Sequence, residues 1–219
     1  MPLAEIHFDH DDESNHLSVT IETQRLFMRS VGDFDRDPYQ QLLGKKENMS
    51  KFAADGKPYP IEQAQYCIDK WVTRWQNNDP FSSFSVVPND SDDCIGMVIL
   101  GYGNKEGSAQ LAYVFDQKNW GKGYGKEAVI PVVKRYAPEL IKRGYQIAEH
   151  EFTSIEATVR PDNPASVKIL SAAGMKYIGE SKKFGHTRYD FFIKTAELVQ
   201  QQSVENIDDV PTSCTHSCP

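Results

Sequence analysis

Gly121, Gly123 and Gly125 alternate in the string WGKGYGKEA, with Lys118, Lys122 and Lys126 beside them. Glycines let a backbone approach an anion closely and turn through left-handed geometry. A helical pattern begins near Lys126, so the first-turn amides lack internal partners and the helix dipole favours negative charge there. The predicted chemistry is a phosphate seat. It is not a P-loop, because no Ser or Thr follows Lys122 or Lys126. Nor is it a dinucleotide fingerprint, since the glycines run GxGxG and not GxGxxG.

The element that must position this loop is the strand before it. Leu111, Tyr113 and Phe115 point to one side and Gln110, Ala112 and Val114 to the other, a two-residue period. A second block, PDNPASVKILSAAGM, follows a strand over Thr153–Arg160 in which Ile155, Ala157 and Val159 alternate with Glu156, Thr158 and Arg160. In it Asn163 is an N-cap, Pro164 suits the first helical position, Val167, Leu170 and Ala173 form an apolar face, and Gly174 stops the helix.

Three strings, taken in order, resemble the GNAT superfamily of N-acetyltransferases, in its branch similar to the ribosomal-protein amino-terminal acetyltransferases. IETQRLFMR is similar to that branch's opening TxRLxLR through Thr23, Arg25, Leu26 and Arg29, although an edge strand with snorkelling arginines fits the same residues. The strand and glycine loop resemble its pyrophosphate loop, Gln/Arg-x-x-Gly-x-Gly/Ala, with Trp120 in place of the Gln or Arg. The third block resembles NxxSxxxLxxxGF. The resemblance covers about residues 18 to 195.

The resemblance implies an α/β (α+β) fold: a mixed, mostly antiparallel central sheet flanked by helices and splayed near the cofactor. It implies acetyl-CoA as co-substrate, without metal, and direct transfer of its acetyl group to a primary amine in a ternary complex. The pyrophosphate would sit on Gly121, Lys122, Gly123, Tyr124, Gly125 and Lys126, and the pantetheine arm along Tyr113, Val114 and Phe115. Asn163 would touch the arm, and Ser166 would lie near the sulfur as a catalytic hydrogen-bond donor. The tyrosine acid of many relatives is replaced by Leu170. Glu180 is the foremost candidate base, with Glu156, His186 and Asp190 behind it. Two helices, Asp33–Leu43 and Ile61–Gln76, and the loop between them would wall the acceptor pocket, making Tyr59 and Asp55 candidate contacts.

The rest of the chain sets bounds. At 219 residues, 39% hydrophobic and 25% charged, it suits one soluble domain. The expected division is an acidic arm over 1–16, the domain over 17–196 and a disordered tail over 197–219. A net charge of -7 opposes general nucleic-acid binding and would steer basic acceptors, such as protein termini or polyamines, towards the protein. No signal peptide or membrane-spanning run is visible, so a cytoplasmic monomer or homodimer is expected. Cys214, His216 and Cys218 make an incomplete zinc set, and Cys67 and Cys94 read as reduced. In the second helix Ile61, Ala64, Ile68, Trp71, Val72 and Trp75 form an apolar stripe. Pro131 and Pro138 predict a kink or break in the helix after the glycine loop. Two readings compete with catalysis: a non-catalytic acyl-CoA-binding sensor or scaffold, and a Rossmann-type nucleotide binder.

Overall fold

A computed structural model describes residues 4–11, 14–53, 55–183 and 185–200. One nine-stranded sheet organises it, in the order β1-β2-β3-β4-β5-β6-β9-β11-β10. The strands are β1 (Glu5–His10), β2 (Leu17–Glu22), β3 (Leu26–Ser30), β4 (Ser83–Pro88), β5 (Gly96–Tyr102), β6 (Ser108–Phe115), β9 (Ser154–Val159), β10 (Lys176–Lys183) and β11 (His186–Lys194). Every neighbouring pair is antiparallel except β6 and β9. That exception makes the site.

One difference from the sequence reading lies at the N-terminus. Residues 5–10, expected as part of a flexible arm, form β1 and pair with β2 from Glu5↔Glu22 to His10↔Leu17. Phe8 from this strand stacks on Tyr136 and Tyr145, and Arg143 covers its ring, so Phe8, with Ile6 on the same face, ties a largely polar strand to the core. Another is that IETQRLFMR, which an edge strand would also fit, spans a hairpin of β2 and β3. Thr23 closes the turn, its N–H donating to the Leu26 carbonyl and its Oγ1 accepting from the Leu26 N–H.

Helices cover both faces. Ser83 and Ser85 meet the Tyr39 hydroxyl of α1 (Arg36–Gly44), while Phe84 packs edge-on against Tyr136. Alternation along β4 therefore puts α1 and the helix carrying Tyr136 on opposite faces. On the α1 face lie also α2 (Lys46–Phe52), which packs on β6, and α3 (Ile61–Gln76), which packs on α1. Of the expected α3 stripe, Ala64, Ile68, Val72 and Trp75 are buried but Ile61 is exposed. Trp75 is a core residue, with its indole N–H donating to the Ser83 carbonyl.

The helix after the glycine loop does not break. α4 (Tyr124–Pro131) continues through a π-turn, Val132–Tyr136, into α5 (Ala137–Lys142). The Ala137 N–H reaches back to the Val132 carbonyl, and this wider turn carries the rod past Pro138, which has no N–H to donate. Residues 145–152 hold a small hairpin, β7 (Gln146–Ile147) and β8 (His150–Glu151), turned by left-handed Ala148 and Glu149. After β9 comes α6 (Pro164–Ala172), which packs on α4. Among the described residues no helix is long and apolar enough to cross a membrane, and no three His, Cys, Asp or Glu side chains cluster to hold a metal. Cys214, His216, Cys218 and the tail beyond residue 200 lie outside the described residues.

Candidate active site

Gly121 and Gly123 take left-handed φ values of 77° and 84°, which bulky residues resist. Alternating left- and right-handed residues turn consecutive N–H groups to one side, forming a concave nest for an anion. Among the described residues, nothing accepts from the amides of residues 121–126; the first bonded amide is that of Glu127, to the Gly123 carbonyl. A side chain built on Gly121 would meet open space. One on Gly125 would lie 3.1 Å from Ile169 Cδ1, so that glycine serves the close approach of α4 and α6. Open amides at a helix start fit a diphosphate.

The loop is clamped from behind by the β2–β3 hairpin. The Glu127 carboxylate accepts from Thr23 Oγ1 at 2.8 Å, from the Arg25 N–H at 2.8 Å and from Arg25 Nε at 2.7 Å. Arg25 Nη1 donates to the Lys122 carbonyl at 3.1 Å, and its guanidinium lies over the Tyr124 ring. Burial alone would raise the Glu127 carboxyl, but the bonds from Thr23 and Arg25 outweigh it and hold the group below its ordinary value. Arg29 instead grips the buried Asp35 with both Nη atoms, at 2.7 and 2.9 Å. The two arginines of the opening string are thus a loop clamp and a helix anchor, not snorkelling edge residues. Trp120 donates its indole N–H to the Phe115 carbonyl at 2.9 Å, tying the loop to the end of β6.

Beyond the loop the sheet forks. β6 and β9 pair only over Ser108–Gln110 and Ser154–Glu156, then diverge. At the fork Gln110 Nε2 bonds the carbonyls of Glu156, at 3.1 Å, and Leu111, at 3.3 Å. From Leu111 onward the β6 edge facing β9 has no partner strand, leaving backbone groups for an added extended ligand. A cleft of about 1100 Å³ fills the fork. Tyr113, Val114, Phe115, Gly121, Gly123, Tyr124, Gly125, Lys126, Asn163 and Ser166 all line it, so ten of the expected site residues come together. Asn163 caps α6 by accepting from the Ser166 N–H at 3.2 Å. The Tyr113 hydroxyl donates to the Ser166 carbonyl at 3.4 Å, and burial pushes its phenol up to about 12.

Other expectations are not met by the placement. Lys122 turns its ammonium to Asn119 Oδ1 and does not line the cleft. Glu180 is exposed on the outermost strand, opposite Tyr189 and on the face away from Arg188, and is not part of the cleft wall. Glu156 is held by Lys105 at 2.6 Å, and Asp190 by Ser181 and Lys183. His186 sits at the far end of β11, and Asp55 is exposed. Among the described residues, no carboxylate or imidazole lines the cleft. Tyr59 does line it, and burial raises its phenol. Sequence reasoning missed Asn48, Lys51, Phe52 and Arg188. They come from α2 and β11, far from either motif in sequence, and only the alternation of β11 hints at Arg188.

Comparison with known proteins agrees with this geometry. A family model described as an acetyltransferase (GNAT) domain matches residues 25–176. The uncharacterised N-acetyltransferase p20 of Bacillus licheniformis is 25% identical over 161 residues, covering 73% of this chain and 84% of that protein. Among solved structures, the ribosomal-protein-S5-alanine acetyltransferase of Vibrio fischeri superposes with a TM-score of 0.62 at 18% identity, over 82% of this chain and 98% of that one. The spermidine N-acetyltransferase of Vibrio cholerae, solved with CoA and spermine, gives 0.60 at 15% identity, over 81% and 99%. With a fold and a glycine-loop cleft of this kind and a family match over most of its length, the chain belongs to the GNAT acetyltransferase family.

Proposed function

We propose that this protein transfers the acetyl group of acetyl-CoA to a primary amine, in a single step with both substrates bound. The observation that carries this reading is the fork between β6 and β9, with the uncovered amides of residues 121–126 at its mouth. The amides take the diphosphate, and the unpaired β6 edge takes the amide groups of the pantetheine arm as an added strand.

In the reaction a carbon–nitrogen bond forms as the carbon–sulfur bond breaks, the amine gives up a proton, and the thiolate gains one. The Phe115 N–H or a neighbouring one on β6 donates to the thioester oxygen as negative charge builds there. Ser166 supplies a hydroxyl to the departing sulfur, held in place by the Asn163 cap. Burial pushes the Tyr113 phenol up to about 12, and its hydroxyl donates to the Ser166 carbonyl. Tyr113 thereby positions α6.

No carboxylate or imidazole lines the cleft among the described residues, so the amine's proton leaves through water. This arrangement suits an α-amine, with a pKa of about 7.7–8.0, better than a lysine at about 10.4. Single-turnover transfer from labelled acetyl-CoA to a panel of amines tests the reading. Acetylated product with a rate rising with pH supports it. Tight acetyl-CoA binding with no product from any amine would favour the sensor instead.

A further inference from the structure

The acceptor end of the cleft differs in charge from the protein as a whole. We propose that the acceptor is a primary amine carrying an anionic oxyacid group, carboxylate or phosphate, and that Arg188 receives that group. The proposal deepens the transferase reading above.

The chain has a net charge of -7, yet its cleft wall holds Lys51, Lys126, Lys168, Lys183 and Arg188 and no carboxylate among the described residues. Lys126 and Lys168 belong to α4 and α6, the helices that approach each other at Gly125 beside the proposed diphosphate seat. The other three are on α2, β10 and β11. Lys51 is paired with Asp162, and Lys183 with Asp190. Arg188 is different. It is 5% exposed, and no carboxylate pairs with it among the described residues.

Arg188 is also fixed in place. Its Nε donates to Thr158 Oγ1 at 2.9 Å and its Nη2 to the Thr158 carbonyl at 3.2 Å, while Nη1 is buried without a partner. Thr158 is itself a cleft-lining residue on the diverging stretch of β9. Asp190 stands opposite Thr158 in the register, so strand alternation places Thr158, Arg160, Arg188 and Asp190 on one face. The connection between α2 and α3 lies over that face: Asp162 joins Arg160 to Lys51, and a side chain on Gly56 would come 3.5 Å from Arg160 Nη1.

A buried guanidinium without a counter-charge is unfavourable. Burial, and then the nearby Arg160, lower its proton affinity, and the Asp190 carboxylate offsets this only in part. A ligand oxyanion would offset that cost, and Arg188 would give it a fixed cation beside the forked strands. A polyamine would bring more positive charge to the same wall. The local wall thus overrides the steering argument drawn from net charge.

The test uses the full chain, acetyl-CoA and acceptors matched but for the anion: glutamate against its diamide, phosphoethanolamine against ethanolamine, with spermidine as the polycation. The proposal expects at least one acid to exceed its neutral match about ten- to a hundredfold in kcat/KM. Carboxylate and phosphate arms show which oxyacid fits. Arg188→Gln should bring the ratio close to one, whereas Thr158→Val, which removes only one positioning contact, should keep a preference. Acceptor-induced melting shifts with CoA present give a binding readout independent of turnover. An acid-specific shift that Arg188→Gln abolishes, with no product formed, would uphold the anion site and sink the transferase reading. Neutral matches or spermidine used as well as the acids, or a preference intact in Arg188→Gln, would overturn the proposal. If Arg188→Gln fails to fold, the matched pairs on the unaltered chain still decide it.

Discussion

At the loop end of the cleft the groups that face a ligand are backbone amides, residues 121–126, backed by a clamp of Thr23, Arg25 and Glu127. On the opposite wall they are side chains, among them Tyr59, Gln110 and Arg188, brought from a loop, β6 and β11. A backbone site needs particular φ values and therefore particular residues at fixed spacing. A side-chain site needs only that distant elements converge, and any of many residues can line it. The first is constrained to one shape, suited to a substrate shared across a family; the second can differ with each acceptor.

Breaking the backbone end should have the largest effect. Replacing Gly121 and Gly123 together by Val forces two β-branched residues into left-handed geometry. Acetyl-CoA affinity should fall about a hundredfold, measured by calorimetry on a variant whose melting shows it is folded. Next comes the clamp. Glu127→Ala leaves Thr23 and Arg25 without their shared acceptor and should cost about 2–3 kcal/mol in denaturant unfolding. The pH dependence follows from the lowered folded-state pKa of Glu127. Its stabilisation is present above the unfolded value of about 4.3 and is lost as pH falls through the lower folded value. Glu127→Gln should remove that part of the acid limb; an unchanged acid limb would show that the clamp does not discriminate charge.

The first of these predictions tracks what the sequence made legible, and the clamp does not, since Thr23 and Arg25 meet Glu127 across about a hundred residues. The glycine spacing, the Asn163 cap and the alternation of β6 all report local backbone constraints, and the structure places those residues along one cleft. Glu180 was misplaced because strand polarity alone does not say whether a residue faces the cleft or open solvent. The β1 strand was hidden because its acidic composition resembles a tail, while the Phe8 contacts that hold it involve residues more than a hundred positions away. Pro138 signals a missing N–H, but not that a π-turn would absorb it. Arg188 carries no local signature beyond the alternation of β11, since its partner Thr158 is set by sheet register.

Smaller effects sharpen the boundary between chemistry and positioning. Ser166→Ala should lower kcat about tenfold and leave acetyl-CoA affinity within about twofold, because the Asn163 cap uses the Ser166 backbone and not its hydroxyl. An undiminished single-turnover rate would remove Ser166 from the reaction. Tyr113→Phe should lower the rate less, about threefold, since it loses one long hydrogen bond to a carbonyl. Because its phenol sits near 12, the rate profile of the unaltered protein should show no Tyr113 ionisation below about pH 10.

The most direct measurement is a calorimetric titration of acetyl-CoA into the folded chain and into the folded Gly121→Val/Gly123→Val variant. Saturable one-to-one binding by the first, weakened about a hundredfold in the second, is the predicted result. No heat of binding to the unaltered chain, or equal affinity for both, would contradict the assignment of the diphosphate to the amides of residues 121–126.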